Sequence, residues 1–579
     1  MLSNSTAFTK LPQELTTRIL QFCTYQYILR FSETCKAYRE LVLNATNLQL
    51  QIELEVNRLQ LSSDYMRGNQ QELLQELKSC NNNWLNLSLD AGPTTKIARY
   101  GRSLHDMMGE LCGGLFPNVY SRSIPVQERS DWQADTVEII PLDEPTSSWT
   151  HAFDVTFHQL AMDPDQDLLI LAVAEDEKQN TLTVHFYSLK TGLAHPCAQH
   201  PVIVLALEFS VKPPVSYYSP ICISVIDEVL TVNLISHNPS PWSIACDVLI
   251  LDWRNGCLLH HIGSRHGFYS AVCLDEDRLA VFAVKAEVPV PAECAPRLNS
   301  ITLLLFDQFR VPRSERLSED LNIFNVSKST VLAPALALDF PILNKHPDLM
   351  IRVGGFRGSS ASTPSGTTSG KKFTPSPSCQ TLSLTLRTIT MFQSPHLRAH
   401  YVIALDVRRI LHHLSCVPPQ APTDPLPWSA WGEAATRWNK ICVYRPPYPM
   451  SKIYGSRLVT ARQPEDDGFT GLVVADFNPV LARRSKLRDL DREGLYLPDK
   501  GCDTATDGEW SYLEADPETR RIVVDYVDET RPTVLEGVSK DPIISRLPYR
   551  VTVVGGPPVA FDDWMIDGNR LVGIKVCIL

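Results

Sequence analysis

The side chains of this chain best suited to chemistry are two histidine pairs, two acidic runs and a scatter of cysteines. His260-His261 and His412-His413 are adjacent pairs. Neighbouring side chains on a strand project to opposite faces, so neither pair converges on a metal by itself. They read as unrelated surface or core histidines. Asp275-Glu276-Asp277 and Glu465-Asp466-Asp467 offer paired carboxylates for acid–base work. Both lie where turns are expected and read as solvated turn residues. The 15 cysteines form no CxxC pair and are odd in number, which points to reduced thiols in the cytoplasm or nucleus. Cys23 and Cys35 lie in a helical segment, where a free cysteine behaves as a small apolar residue.

No GxxxxGK[ST], GxGxxG, HExxH, GxSxG or EF-hand pattern is present. The expectation is a protein that is not an enzyme, with no catalytic residue, no metal and no cofactor. A net charge of −11 gives no global field for nucleic acid. The one basic run, Arg483, Arg484, Lys486 and Arg488, is broken by Asp489, Asp491 and Glu493, and reads as a solvated mixed-charge helix or loop. Residues 1–10 lack an apolar core and are not expected to be a secretory signal. The longest apolar run, Leu168–Ala174, is far below the roughly 20 residues of a membrane span.

The elements that would position any site fall into two kinds. At 579 residues, with 44% apolar and 21% charged, the chain exceeds one core and needs several units. Short helices fill 11–44, after a disordered 1–10. Pro12 suits a helix start, and Leu11, Leu15 and Ile19 repeat at i, i+4, i+8 on one stripe. So small a unit cannot cover its own apolar face; docking onto a second surface is therefore expected. Residues 47–56 alternate with period two, yet their Gln, Glu and Leu content favours a helix. Residues 72–87 form an amphipathic helix within a helical linker assigned to 45–130.

From 131 to 579 the pattern becomes strand, acidic turn, strand. Asp163, Asp227, Asp275, Asp516 and Asp567 head five such turns, and β-branched runs flank them. The first intervals, 64 and 48 residues, suit blades of about four strands, with about 40 to 50 residues per repeat. An irregular β-propeller of six to eight blades is expected; a pair of β-sandwiches is the alternative. Forty-two prolines against 27 glycines agree with many short strands. Trp428, Trp431 and Trp438 read as core packing of an irregular blade rather than a recognition surface. Residues 354–379, rich in Gly, Ser, Thr and Pro, are expected to be a disordered surface insert.

Leu11-Pro12-x-Glu14-Leu15, Ile19-Leu20, Ile28-Leu29-Arg30, Cys35-Lys36 and Tyr38-Arg39-x-Leu41-Val42 resemble an F-box in order and spacing, over 11–44. Thr34 and Cys23-Thr24-Tyr25 depart from the common pattern, although Thr24 is placed to cap the next helix. The continuation through Leu48–Leu54 to Trp84 is similar to fungal F-box proteins, which often carry divergent propeller-like regions. The resemblance implies a substrate receptor of an SCF-type ubiquitin ligase. It would dock on the Skp adaptor, and through it on a cullin scaffold, and capture an unknown target protein, with no nucleic acid or membrane as partner. It implies that Leu11, Pro12, Leu15, Ile19, Leu20, Ile28, Leu29, Cys35, Tyr38 and Leu41 form or support the adaptor-binding surface. A propeller scaffold outside ubiquitin signalling, or a propeller enzyme with its site at the channel mouth, is the alternative.

Overall fold

The computed structural model describes residues 11–62, 65–66, 68–87, 111–122, 134–174, 180–207, 221–237, 244–264, 267–275, 277–286, 298–307, 323–325, 333–343, 352–354, 372–376, 380–387, 399–416, 424–442, 452–462, 471–489, 522–554, 563–568 and 570–574. The expected disorder of 1–10, residues 355–371 and 377–379 of the expected insert, and the Asp516 turn with the strand before it lie outside them.

Five helices open the chain: α1 (Gln13–Leu20), α2 (Tyr25–Thr34), α3 (Lys36–Asn44), α4 (Thr46–Val56) and α5 (Gln70–Asn86). Helix α4 explains its own misleading alternation. Leu48, Ile52 and Val56 recur every fourth residue and face α1–α3, whereas Leu50 and Leu54 face Leu73 and Leu77 of α5. Two helical stripes roughly 200° apart look like a strand pattern when written on one line. Thr24 makes no side-chain cap. The Tyr25 N–H donates instead to the Glu55 carboxylate of α4 at 2.9 Å, a favourable negative charge at a helix start.

The β region begins earlier than expected. Leu115–Tyr120, inside the stretch assigned to a helical linker, pairs with Ala134–Pro141, and Trp149–Phe157 completes the first sheet. A second sheet holds Gln159–Asp163, Leu168–Ala174, Thr181–Ser188 and Val202–Ala206, and Ile323–Asn325 joins its outer edge in parallel. Four-stranded antiparallel sheets follow at Ile221–Ser264, Gly267–Asp339 and Arg352–Cys442. A sixth sheet orders Lys452–Tyr454, Arg457–Arg462, Gly471–Asp476, Tyr549–Val554 and Ile522–Val527. Asp563–Asp567 and Arg570–Ile574 form a last hairpin.

The acidic turns work as expected. Asp163 accepts the Asp165 N–H at 3.0 Å, and Asp275 accepts from Asp277 and Arg278; such Asx geometry closes a turn without help from elsewhere. Alternate residues of each middle strand then pack on opposite neighbours. Leu168, Ile170 and Ala172 face the third sheet, while Leu169 and Leu171 face the first. Further apolar clusters join sheet three to four, four to five, and five to six. Val459 and Leu472 of sheet six meet Trp564 and Ile566 of the last hairpin together with Trp84. That hairpin returns to the start of the β region: Asp567 accepts the Gly114 N–H at 2.6 Å, and Arg570 pairs with Asp143.

Among the described residues, three α-helices interrupt the strands: α6 (Val407–Ser415), α7 (Trp428–Ala435) and α8 (Pro479–Asp489). Trp431 and Trp438 are buried, and Trp428 and Trp431 meet edge to face at 5.2 Å. Arg437 is fully buried. It donates to the Leu547 and Arg531 carbonyls at 2.8 and 2.9 Å and lies over the Tyr549 ring. Burial pulls its pKa down to about 10. Of the 354–379 stretch expected to be disordered, Phe373–Pro375 forms a strand against Leu59–Leu61. Phe373 supplies the reason: its ring joins the Leu50, Leu73 and Leu77 cluster.

Candidate docking face on the first three helices

Helices α1–α3 are amphipathic, and α4 and α8 take their inner stripe. Leu20, Ile28, Val42 and Leu48 bury together with Leu481 of α8. Asn478 caps α8 by accepting the Val480 N–H at 3.1 Å, and its amide donates to the Val56 carbonyl at 2.8 Å. Arg484 on the next turn of α8 forks the buried Glu53. That fork, and the pull on Glu53, raises the Arg484 pKa. Of the helix or loop expected for the basic run, the structure shows a helix, and Arg484 is a structural tie rather than a solvated charge.

A second joint lies at the end of α4. Arg58, held at φ 57°, reaches Asp406 at 3.1 Å with both side chains almost fully buried. Its carbonyl accepts the Ser376 N–H at 2.9 Å. Farther along, Arg550 donates to the Leu85 carbonyl at 2.7 Å.

The outer stripe of the helices is left open by the described residues. Leu15 is 52% exposed, Ile19 41% and Phe22 80%. Their i, i+4, i+7 spacing puts them on one face. Leu29, Tyr27 and Leu43 add exposed apolar area. Arg18 lies over the Phe22 ring at 5.5 Å, which orients that ring at the end of α1.

The ten residues expected to make the docking surface therefore divide. Pro12, Leu15, Ile19, Leu29 and Cys35 are exposed; Leu11, Tyr38 and Leu41 are half-buried. Leu20 and Ile28 are core residues with 4% and 0% exposure, which leaves them a supporting part only. Tyr38 stacks on Phe31 at 4.2 Å and braces α2 against α3. Sequence reasoning passed over Phe22, Tyr27 and Leu43. Phe22 carried a readable signal, since it continues the Leu15 and Ile19 stripe by one more turn.

Among the described residues the groups first considered for chemistry do not assemble; Glu465-Asp466-Asp467 lie outside them. His261 and Asp247 form one buried pair at 2.9 Å, and His412 and His413 sit at the exposed end of α6. No group of three or more His, Cys, Asp or Glu able to hold a metal occurs among the described residues.

Comparison with known proteins gives the helical segment a family: residues 8–49 match the F-box domain. No curated protein matches the chain. Among solved structures, the WD40 domain of Toxoplasma gondii coronin superposes with a TM-score of 0.29 at 10% identity, covering 77% of this chain and 87% of that one. The polysaccharide lyase Uly1 gives 0.32 at 7%, covering 80% and 94%. An uncharacterized protein of Listeria monocytogenes EGD-e gives 0.30 at 9%, covering 66% and 82%. Superpositions at this level carry no functional argument.

Proposed function

We propose that this chain, which carries an F-box domain at residues 8–49, is the substrate receptor of an SCF-type ubiquitin ligase. One observation carries the reading: the matched segment is bolted to the β region on its inner side while Leu15, Ile19 and Phe22 stay uncovered by the described residues. A helical unit whose own chain buries one stripe and leaves the other open is built to receive a second protein. A specific interface takes roughly 800 Å² per partner, which the exposed apolar side chains of α1–α3 can supply the centre of. The partner proposed is the Skp adaptor, with the cullin scaffold behind it. No catalytic residue of this chain is required.

The β region is proposed to hold the target. We infer that its successive sheets close into a propeller. What supports this is the face-to-face packing of each sheet on the next and the return of the last hairpin to Gly114 and Asp143. Among the described helices none is long and apolar enough to cross a membrane, and the cytoplasm or nucleus is the proposed place of action.

The deciding experiment is co-expression of the full chain with a Skp adaptor. The wild-type chain should co-purify with it in equal amounts. The double variant Leu15→Asp/Ile19→Asp should lose the adaptor while keeping its thermal midpoint. An adaptor that ignores the wild-type chain, or binds the variant equally well, would leave the helices as a brace for the β region and refute the docking assignment.

A further inference from the structure

A cavity of about 330 Å³ opens where the end of α4, helix α5, the Phe373–Pro375 strand and the closing hairpin meet. This volume falls in the range of small-molecule sites, roughly 300–1,000 Å³. Its walls are mixed. Leu59, Leu77, Phe373 and Tyr454 give an apolar side, and four cations, Arg58, Lys372, Arg457 and Arg570, outnumber the three carboxylates, Glu76, Asp143 and Asp567, on the charged one.

Arg457 stands out among them. Its Nε donates to Asp476 at 3.3 Å, and its guanidinium lies over the Trp84 ring at 4.7 Å. The two terminal nitrogens donate to nothing among the described residues, although the side chain is only 14% exposed. A guanidinium held over an indole, with its fork left over, is prepared for a bidentate oxyanion. Its field reaches the wall: Arg457 pulls the Cys80 thiol down against the larger upward push of burial. The Asn81 side-chain oxygen, buried in the same wall, also accepts no hydrogen bond among the described residues.

The mouth adds exchangeable charge. Lys372 pairs with Glu76 and Arg570 with Asp143, but those carboxylates are 47% and 71% exposed. Exposed pairs of this kind contribute little, so both cations can turn to an incoming anion at small cost.

We propose that this cavity binds a small ligand through an oxyanion group, carboxylate or phosphate, gripped by the Arg457 fork and steered by Lys372 at the mouth. The ligand would sit between the helical unit and the β region and lock the two together. The inference stands apart from the docking proposal, and neither result bears on the other.

The test is calorimetric titration and thermal denaturation of the full chain with inorganic phosphate, phenyl phosphate and benzoate, each at constant ionic strength. At least one probe should saturate with a Kd below about 1 mM. Saturation by both phosphates identifies the phosphate class; saturation by benzoate alone identifies a carboxylate with an apolar body. Arg457→Lys keeps the charge and loses the fork, and should weaken binding tenfold or more with an unchanged midpoint in the absence of probe. Should that variant not fold, Lys372→Ala at the exposed mouth decides instead, with at least a threefold loss expected. No saturation by any probe up to about 10 mM, or unchanged affinity in the folded variant, overturns the proposal.

Discussion

Arg484 grips Glu53 through both ends of its guanidinium, Nη1 to Oε2 at 2.8 Å and Nη2 to Oε1 at 2.7 Å. Residues 431 positions apart in the chain thereby share one fork-to-fork bond, the geometry in which charge-assisted hydrogen bonds are strongest. Glu53 is 5% exposed. Without Arg484 its carboxylate would keep, among the described residues, a long contact, 3.5 Å, from the Asn57 amide.

The first prediction follows from that pair. Arg484→Ala leaves a buried carboxylate short of donors and should cost about 2–4 kcal/mol. Amide hydrogen exchange across α4 should accelerate by more than tenfold. Unchanged protection of residues 46–56 would show that α8 does not hold the helical unit in place.

The neighbours Ile28 and Leu29 should behave oppositely. Ile28 is fully buried among Leu20, Val42 and Leu48, so Ile28→Ala should cost about 2–5 kcal/mol and lower the thermal midpoint. Leu29 is 39% exposed, and Leu29→Ala should leave the midpoint alone while weakening adaptor binding. Similar midpoints for the two variants would contradict the division into core and docking residues.

Gly432 tests packing against propensity. Within a helix, Gly→Ala gains about 1 kcal/mol. At this position, however, a methyl group runs into the Trp428 indole, and overpacking costs roughly 1–3 kcal/mol. The clash should win, because Trp428 is itself wedged between Phe340 and Trp431. Gly432→Ala should therefore lower the midpoint, and a raised midpoint would mean that the indole is free to move.

Acid should weaken the first two sheets through His158. Its Nδ1 accepts the Ala174 N–H at 3.2 Å, and burial lowers its pKa from the ordinary 6.5. The folded chain thus binds this proton less readily than the unfolded one. Stability from this group is present in full above pH 6.5 and declines as pH falls below that value toward the depressed folded pKa. Midpoints of wild type and His158→Gln, measured from pH 7.5 to 5, should converge on acidification by this group's share; parallel curves would remove His158 from the account.

Asp567 joins the last hairpin to the first sheet. Asp567→Ala removes the acceptor of the Gly114 N–H, at a cost of about 1–3 kcal/mol for the orphaned donor. Exchange at residues 112–115 and 563–567 should rise together. A rise at only one of the two ends would argue against a joined ring.

Local chemistry was legible in the sequence and long-range pairing was not. Asp163, Asp227, Asp275 and Asp567 announced their hairpins because a carboxylate or a left-handed turn residue acts within a few positions of itself. The order of helices α1–α3 followed from apolar spacing, and α4 from composition. The resemblance put Ile28 and Leu29 together in one docking set, to form or support it, because a dipeptide pattern does not say which of two apolar neighbours points inward. The Phe373–Pro375 strand was missed in a Ser- and Pro-rich stretch, since its partner Leu59–Leu61 lies about three hundred residues away. Arg457 gave no signal, as its value rests on Trp84 and Asp476 arriving from different elements.

The ties of Val56 to Asn478, Glu53 to Arg484 and Arg58 to Asp406 act within a few residues of one another. A joint fastened at three close points has no wrist. If the chain presents a captured protein as proposed, any swing toward a distant reactive centre must come from the other members of that assembly, or from the cargo itself.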